Sequence, residues 1–280
     1  MLAKVLSFGL LGIDAYPVEI EVDVASGLPA VTLVGLPDSA IRESKERVRA
    51  AIKNSGFLWP GDRITINLAP SDIKKEGACF DLAIALGVLC ATEQLNQEEL
   101  KKYFILGELS LDGLLRPIQG GLVVSLAVSK SEIKNLIIPL QNAKETGIVS
   151  GTSVFALRTL KETVEFLHSP QLHRPYKTDT EGLFRQNALY QADFSEVKGQ
   201  HLAKRAIEVA VAGGHNIAMI GPPGSGKTML AKRIPSIMPE LTLEEALEIT
   251  KIHSAAGALP AKNGIIGTHP FRNPHHSISN

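Results

Sequence analysis

The sequence predicts an α+β domain over residues 1–168, a linker over 169–192 and the front of an α/β domain over 193–280. Three observations predict it. Strand and helix patterns alternate as far as His168, and a polar stretch with two prolines runs from Pro170 to about Ala192. A glycine-rich loop then sits between an apolar run and a helix pattern.

Val18, Ile20, Val22 and Val24 alternate with Glu19, Glu21 and Asp23, which puts four apolar side chains on one face of a half-buried strand. The run PAVTLVGL follows. Asp38 is placed to cap a helix whose apolar side carries Ile41, Val48 and Ile52 and which ends near Gly56. The opposite face holds Arg42, Glu43, Lys45, Glu46 and Arg49: a solvated surface or, alternatively, a patch for a partner or nucleic acid. Arg63 to Leu68 alternates as a strand that Ala69-Pro70 breaks, and Phe80 to Ala91 is apolar all round, as a buried helix is. YFILGELSLDGLLRPI reads as a hairpin, with Asp112-Gly113 suited to a tight two-residue turn. Gly121 to Lys130 is helical, NLIIPL and TSVFAL are strands, and LKETVEFLHS is a closing helix.

Apolar residues make up 44% and charged residues 21%, a composition that buries a core. Lys plus Arg total 29 against 29 Asp plus Glu, so no bulk positive field exists, and a nucleic acid must be held by a local patch. The opening segment is interrupted by Gly9, Gly12 and Asp14, too often for a signal peptide or a membrane span, and the chain reads as cytoplasmic. Cys79 and Cys90, on one helix, would stand ~16 Å apart, beyond the ~7 Å reach of a disulfide. Neither a CxxC pair nor a cysteine with histidine at ligand spacing supports zinc.

Gly221, Pro222, Pro223, Gly224, Ser225, Gly226, Lys227 and Thr228 fit G-x-x-x-x-G-K-[ST], with the apolar strand NIAMI before them and the helix TMLAKRI, stopped by Pro235, after them. Glycines let backbone N–H groups point inward at a polyphosphate, and the following helix adds its positive end. Lys227 is expected to neutralise the β- and γ-phosphates of ATP, and the Thr228 hydroxyl to join the coordination of Mg²⁺. Hydrolysis also requires an acidic residue at the tip of a second apolar strand, and residues 229–280 hold no such run. Glu244, Glu245 and Glu248 lie on an amphipathic helix, as a solvated face. The chain is therefore expected to stop inside its nucleotide-binding domain and to leave a parallel sheet edge uncovered.

The segments GLPAVTLVGLPDSAIRESKERVRAAIKNSGF, ITINLAPSDIKKEGACFDLAIALGVL, GELSLDGLLRPIQGG, GPPGSGKT and PFRNPHHSIS occur in this order. With them the chain resembles the Mg-chelatase-like AAA+ ATPases of bacteria, the YifB and competence-protein ComM type, over essentially its whole length. The resemblance implies a Lon-protease-like N-terminal domain of ribosomal-S5 type over 1–168 and, over 193–280, the first part of an AAA+ module. It implies ATP hydrolysis by a homo-hexameric ring and a motor acting on single- or double-stranded DNA in branch migration, with no membrane partner. The alternatives are a metal-chelatase accessory ATPase and a non-catalytic nucleotide-binding interaction module. Val197, Lys198, Gly199 and Gln200 resemble the segment that approaches the adenine, with an ordinary turn before a helix as the other reading. His275 and His276 fall on the family's histidine pair, in a loop or pore-facing role. DNA contact rests on the resemblance alone, because from Asp193 onward nine Lys and Arg stand against seven Asp and Glu.

Lys75 to Cys79 also resembles the stretch that carries the nucleophilic serine of Lon peptidases, with Cys79 in the serine's place. The base is expected from the helix after RPIQGG, where Leu122, Val123 and Val124 stand instead of lysine. Lys74 and Lys75 read as surface charges and Cys79 as a small core residue, so the chain is not expected to be a peptidase.

Overall fold

The computed structural model describes residues 1–190, 192–260 and 263–274. It divides into two units: Met1–Thr180 with Thr250–Gly264, and Glu181–Ile249 with Ile265–Asn280.

Unit 1 is built on a seven-stranded mixed sheet. β1 (Leu2–Leu11) and β2 (Asp14–Ala25) pair as an antiparallel hairpin. β2 buries Val18, Ile20 and Val22 and leaves the intervening acids at its partly open side, as the alternation predicts. β1 was not signalled by alternation because both its faces are covered from Leu6 to Leu10, although Leu2 and Lys4 are exposed. Ala3 and Val5 enter one apolar cluster, while Phe8, with Leu6 and Leu10 packed beside it, enters the other.

β3 (Ala30–Val34), α1 (Ser39–Asn54), β4 (Arg63–Ala69), α2 (Asp81–Ala91), α3 (Gln97–Leu100) and β5 (Tyr103–Ile105) follow. The α1 helix starts where Asp38 Oδ1 accepts the Ile41 N–H at 2.8 Å. It closes where Gly56, at φ +85°, donates to Lys53 O at 3.0 Å. α2 buries every residue, packing on β1 and β2 on one side and α1 on another.

The predicted hairpin is β6 (Glu108–Leu109) with β7 (Leu115–Arg116), while Tyr103–Ile105 belongs to the main sheet. Its turn differs from the two-residue form. Gly113 N–H donates to Ser110 O and Ser110 N–H to Leu114 O, each at 3.0 Å, which leaves a three-residue loop. Gly113 takes φ +84° and Asp112 does not take a positive φ; its carboxylate instead accepts the Ser110 hydroxyl and the Leu114 N–H.

α4 (Gly121–Lys130), β8 (Asn135–Pro139), α5 (Ala143–Thr146), β9 (Ser153–Leu157) and α6 (Leu160–His168) complete this part of the unit. The strand order is β3-β4-β2-β1-β5-β8-β9, with β1–β2 and β2–β4 antiparallel and the other neighbours parallel.

The stretch expected as a linker carries the helix α7 (Thr180–Asn187), whose Leu183 and Phe184 are half-buried while Glu181, Arg185 and Gln186 are exposed. In unit 2, α8 (His201–Ala212) and α9 (Lys227–Ala231) pack a small cluster of Phe194, Val197, Ile207 and Leu230. α10 (Leu243–Ala255) begins in unit 2, and from Thr250 onward its residues count with unit 1. A capping box starts it: Thr242 N–H donates to Glu245 Oε2 at 2.8 Å, and Glu245 N–H to Thr242 Oγ1 at 3.3 Å.

Two expectations change in unit 2. The described residues of unit 2 contain no strand, so NIAMI is an unpaired segment with Ile217 39% and Ile220 98% exposed. A strand is made by its neighbour, and no described residue here supplies one. The helix after the loop also ends at Ala231, and Pro235 sits in a separate 3₁₀ turn, Ile234–Ile237.

Candidate functional site

The eight-residue loop of unit 2 is exposed from Gly221 to Gly224 and half-buried from Ser225 to Lys227. Gly224 and Gly226 hold φ +78° and +85°, a conformation that glycine alone adopts without strain, and a Cβ built on Gly224 would meet nothing within 4 Å. Pro222 and Pro223 have no N–H to offer. Among the described residues, the N–H groups of Gly224, Gly226, Lys227 and Thr228 donate to no protein acceptor, whereas that of Ser225 reaches Pro222 O at 3.3 Å. Free donors therefore follow one another along the turn, a nest able to receive an anionic oxygen.

Lys227 Nζ folds over this turn. It donates to Gly221 O and Pro222 O, both at 2.9 Å, and to Ser225 Oγ at 3.2 Å. The ammonium is held at this turn, and no carboxylate among the described residues pairs with it. Cation, open turn and unspent donors together fit a phosphate group. The exposed Thr228 hydroxyl is the candidate metal contact, and no group of three or more His, Cys, Asp or Glu among the described residues could hold a metal ion.

Beside the loop lies a cleft of ≈ 430 Å³ whose lining includes Gln200, Ala203, Ile207, Ile217, Gly221 and Lys227. The base-side candidates divide. The Val197 side chain is spent in the apolar cluster, and its carbonyl accepts Lys204 Nζ at 2.9 Å. Gly199 and Gln200 take φ +68° and +55°, and Gln200 Nε2 reaches Ser225 O at 3.5 Å. Of the four, Gln200 is brought to the loop, while Lys198 is exposed and contacts neither loop nor cleft lining. Glu244, Glu245 and Glu248 are exposed on α10, as expected. His275 and His276 lie outside the described residues.

In unit 1, Cys79 is half-buried against both apolar clusters, and burial pushes its thiol up to about 12, so it is protonated at neutral pH. Lys74 is exposed and paired with Glu76. Lys75 corrects the surface reading: its side chain is fully buried. Its ammonium donates to Ile73 O at 2.7 Å, and burial lowers its pKa. The neighbouring backbone explains this, because Lys75 N–H donates to Leu36 O and Asp38 N–H to Lys75 O, locking the residue under the preceding loop. Leu122, Val123 and Val124 are buried.

Two buried carboxylates escaped sequence reasoning. Asp81, with no exposure, accepts Arg47 Nε at 2.9 Å and Nη2 at 3.3 Å. Glu145 accepts Asn142 Nδ2 at 2.6 Å and the Ser254 hydroxyl at 2.7 Å, and burial raises its pKa. An acid inside an apolar run signals the first; the second joins residues 109 positions apart and has no local signal.

Residues 20–142 match the family described as subunit ChlI of Mg-chelatase, and residues 193–280 match magnesium chelatase, subunit ChlI. The chain is 42% identical to an uncharacterized protein of Mycobacterium tuberculosis over 278 residues, 99% of this chain and 54% of that protein. It is 43% identical to the YifB protein of Escherichia coli over 270 residues, 96% of this chain and 52% of the relative. It is 42% identical to the competence protein ComM of Haemophilus influenzae over 281 aligned residues, 99% of this chain and 54% of the relative. The chain thus spans about half the length of the curated relatives it matches. A weaker likeness, 23% identity over 176 residues, joins 57% of the chain to 31% of Lon protease 2 of Bacillus subtilis.

Proposed function

We propose, from the premise that this chain is a Mg-chelatase-like protein of the YifB and ComM type, that residues 221–228 bind the phosphates of a nucleoside triphosphate, ATP, with Mg²⁺. One observation carries the reading: Lys227 Nζ is folded over a turn whose Gly224, Gly226, Lys227 and Thr228 amides donate to nothing else among the described residues. In this reading the ammonium answers the β- and γ-phosphates, the amides receive phosphate oxygens, Thr228 joins the metal shell and Gln200 lies toward the base. Bound Mg²⁺ would supply charge neutralisation on the phosphates.

For the complete protein the reading is a DNA-processing motor acting as a ring of copies; the competence protein among the relatives supports its link to competence. The Lon protease 2 likeness supports a Lon-protease-like unit 1, retained as a scaffold without peptidase chemistry. That last point rests on a Cys79 thiol held protonated and a Lys75 ammonium engaged by a backbone carbonyl. The family descriptions favour a second reading, the motor of a metal-chelatase, because they name that enzyme. In-vitro porphyrin metalation with the partner subunits would distinguish the two.

The test is nucleotide titration of wild-type chain and Lys227→Ala. Losing this cation is expected to weaken MgATP binding about 100-fold, in keeping with charge-assisted bonds at about 1.5–3 kcal/mol each. Equal affinity in the variant would remove the phosphate assignment.

A further inference from the structure

The charged face of α1 has a geometry that the nucleotide reading does not use. Lys45, Arg49 and Lys53 recur every four residues, so they stand in one row with ~6 Å of rise between neighbours. All three are exposed, and none makes an ion pair among the described residues. Lys4, Lys74, Lys101 and Lys102 each meet a glutamate within 3.0 Å, whereas other cations of unit 1, Lys130 and Lys161 among them, are without an ion pair like this row. What sets the row apart is its alignment along one helix. α1 holds five basic residues against two acidic ones in a chain with no net charge. It is a local patch of the kind a neutral chain needs to hold a polyanion.

The row borders a groove of ≈ 340 Å³ between α1 and the sheet-edge strand β3. Trp59, the chain's one tryptophan, lines this groove while its inner side packs on the main core. Glu46 and Asp62 also line it, at distances too long for ion pairs with the three cations.

We infer that this groove binds single-stranded nucleic acid, the cations tracking phosphates and the Trp59 indole stacking on a base. The pairing of cations with an indole selects this partner. A single strand offers both phosphates and open base faces, a duplex hides its faces, and an acidic peptide has none to offer. The inference deepens the DNA-processing reading and rests on it for biological sense, but its geometry lies wholly in unit 1.

The test is titration of the full chain with an oligothymidylate, without nucleotide, reading tryptophan fluorescence. Binding is expected to quench Trp59. Replacing Lys45, Arg49 and Lys53 together by Gln is expected to flatten the log–log salt slope by about 2, three phosphate contacts at about 0.7 each. Trp59→Leu is expected to weaken binding about 10-fold. The triple variant changes exposed positions only, so it keeps the test sound if Trp59→Leu fails to fold. Its MgATP affinity should equal wild type, which separates this surface from the phosphate loop.

Unchanged oligonucleotide affinity in the triple variant would overturn the groove and leave the DNA reading standing. No binding at low salt, with or without MgATP, would overturn both. Polyglutamate binding as tightly with the same quench would assign the groove to an acidic protein instead.

Discussion

Asp81 begins α2 with no exposure, and burial drives its carboxyl up from 3.8 to about 6 even though the Arg47 guanidinium opposes the rise. Between those two values the native chain binds a proton that the unfolded chain has released. This group therefore makes stability fall as pH climbs from about 4 to about 6. Above that window the carboxylate stays charged and depends on Arg47, whose side chain keeps 24% of its exposure. Arg47→Met should cost about 2–3 kcal/mol at pH 8, where an uncompensated carboxylate is left inside. At pH 4.5 Asp81 holds its proton and the loss should shrink toward that of an ordinary surface change. Urea unfolding at the two pH values measures this, and an equal loss at both would show that the pair's charge contributes nothing.

At the scale of elements, α2 shows where helix propensity and packing disagree. Gly87 stands in its middle, where alanine would gain about 1 kcal/mol on propensity alone. A Cβ there would lie 2.6 Å from Val22 Cγ2, and Val22 on β2 is itself fully buried. Overpacking at about 1–3 kcal/mol should win, so Gly87→Ala is expected to lower stability by about 1–2 kcal/mol in chemical denaturation. Adding Val22→Ala should recover part of that loss; a stabilised single variant would contradict the close approach. The same elements show what sequence could reveal. β2, α1 and α4 were legible because each has one wet face or clear end signals, Asp38 and Gly56 for α1. β1 was not, since Phe8 and Val5 bury opposite faces and erase the alternation. NIAMI carried the composition of a strand, but pairing is a property of two segments, and the described part of unit 2 contains only one. The proposed phosphate loop carries a residue-by-residue pattern because glycine spacing and lysine act locally. Burial of Lys75 was not, because it depends on the backbone of Leu36 and Asp38.

At the scale of the molecule, the two units are built very differently. Unit 1 holds a seven-stranded sheet with apolar clusters on both faces, whereas among the described residues unit 2 packs a small apolar cluster of Phe194, Val197, Ile207 and Leu230. Hydrophobic stabilisation scales with apolar area removed from water, so unit 2 has much less to offset its chain entropy. Ile220 and Leu202, at 98% and 88% exposure, contribute none of theirs. We therefore expect calorimetry to show two transitions, with unit 2 melting first. If the phosphate loop binds MgATP, ligand present at about 100 times its dissociation constant adds about 2.7 kcal/mol to the unit that holds it and nothing to the other. The lower transition should move upward with MgATP, the upper one should stay in place, and in Lys227→Ala neither should move. Arg47→Met and Gly87→Ala act in unit 1 and should lower the upper transition alone. One coincident transition that nucleotide and unit 1 substitutions shift together would mean the chain unfolds as a single cooperative body.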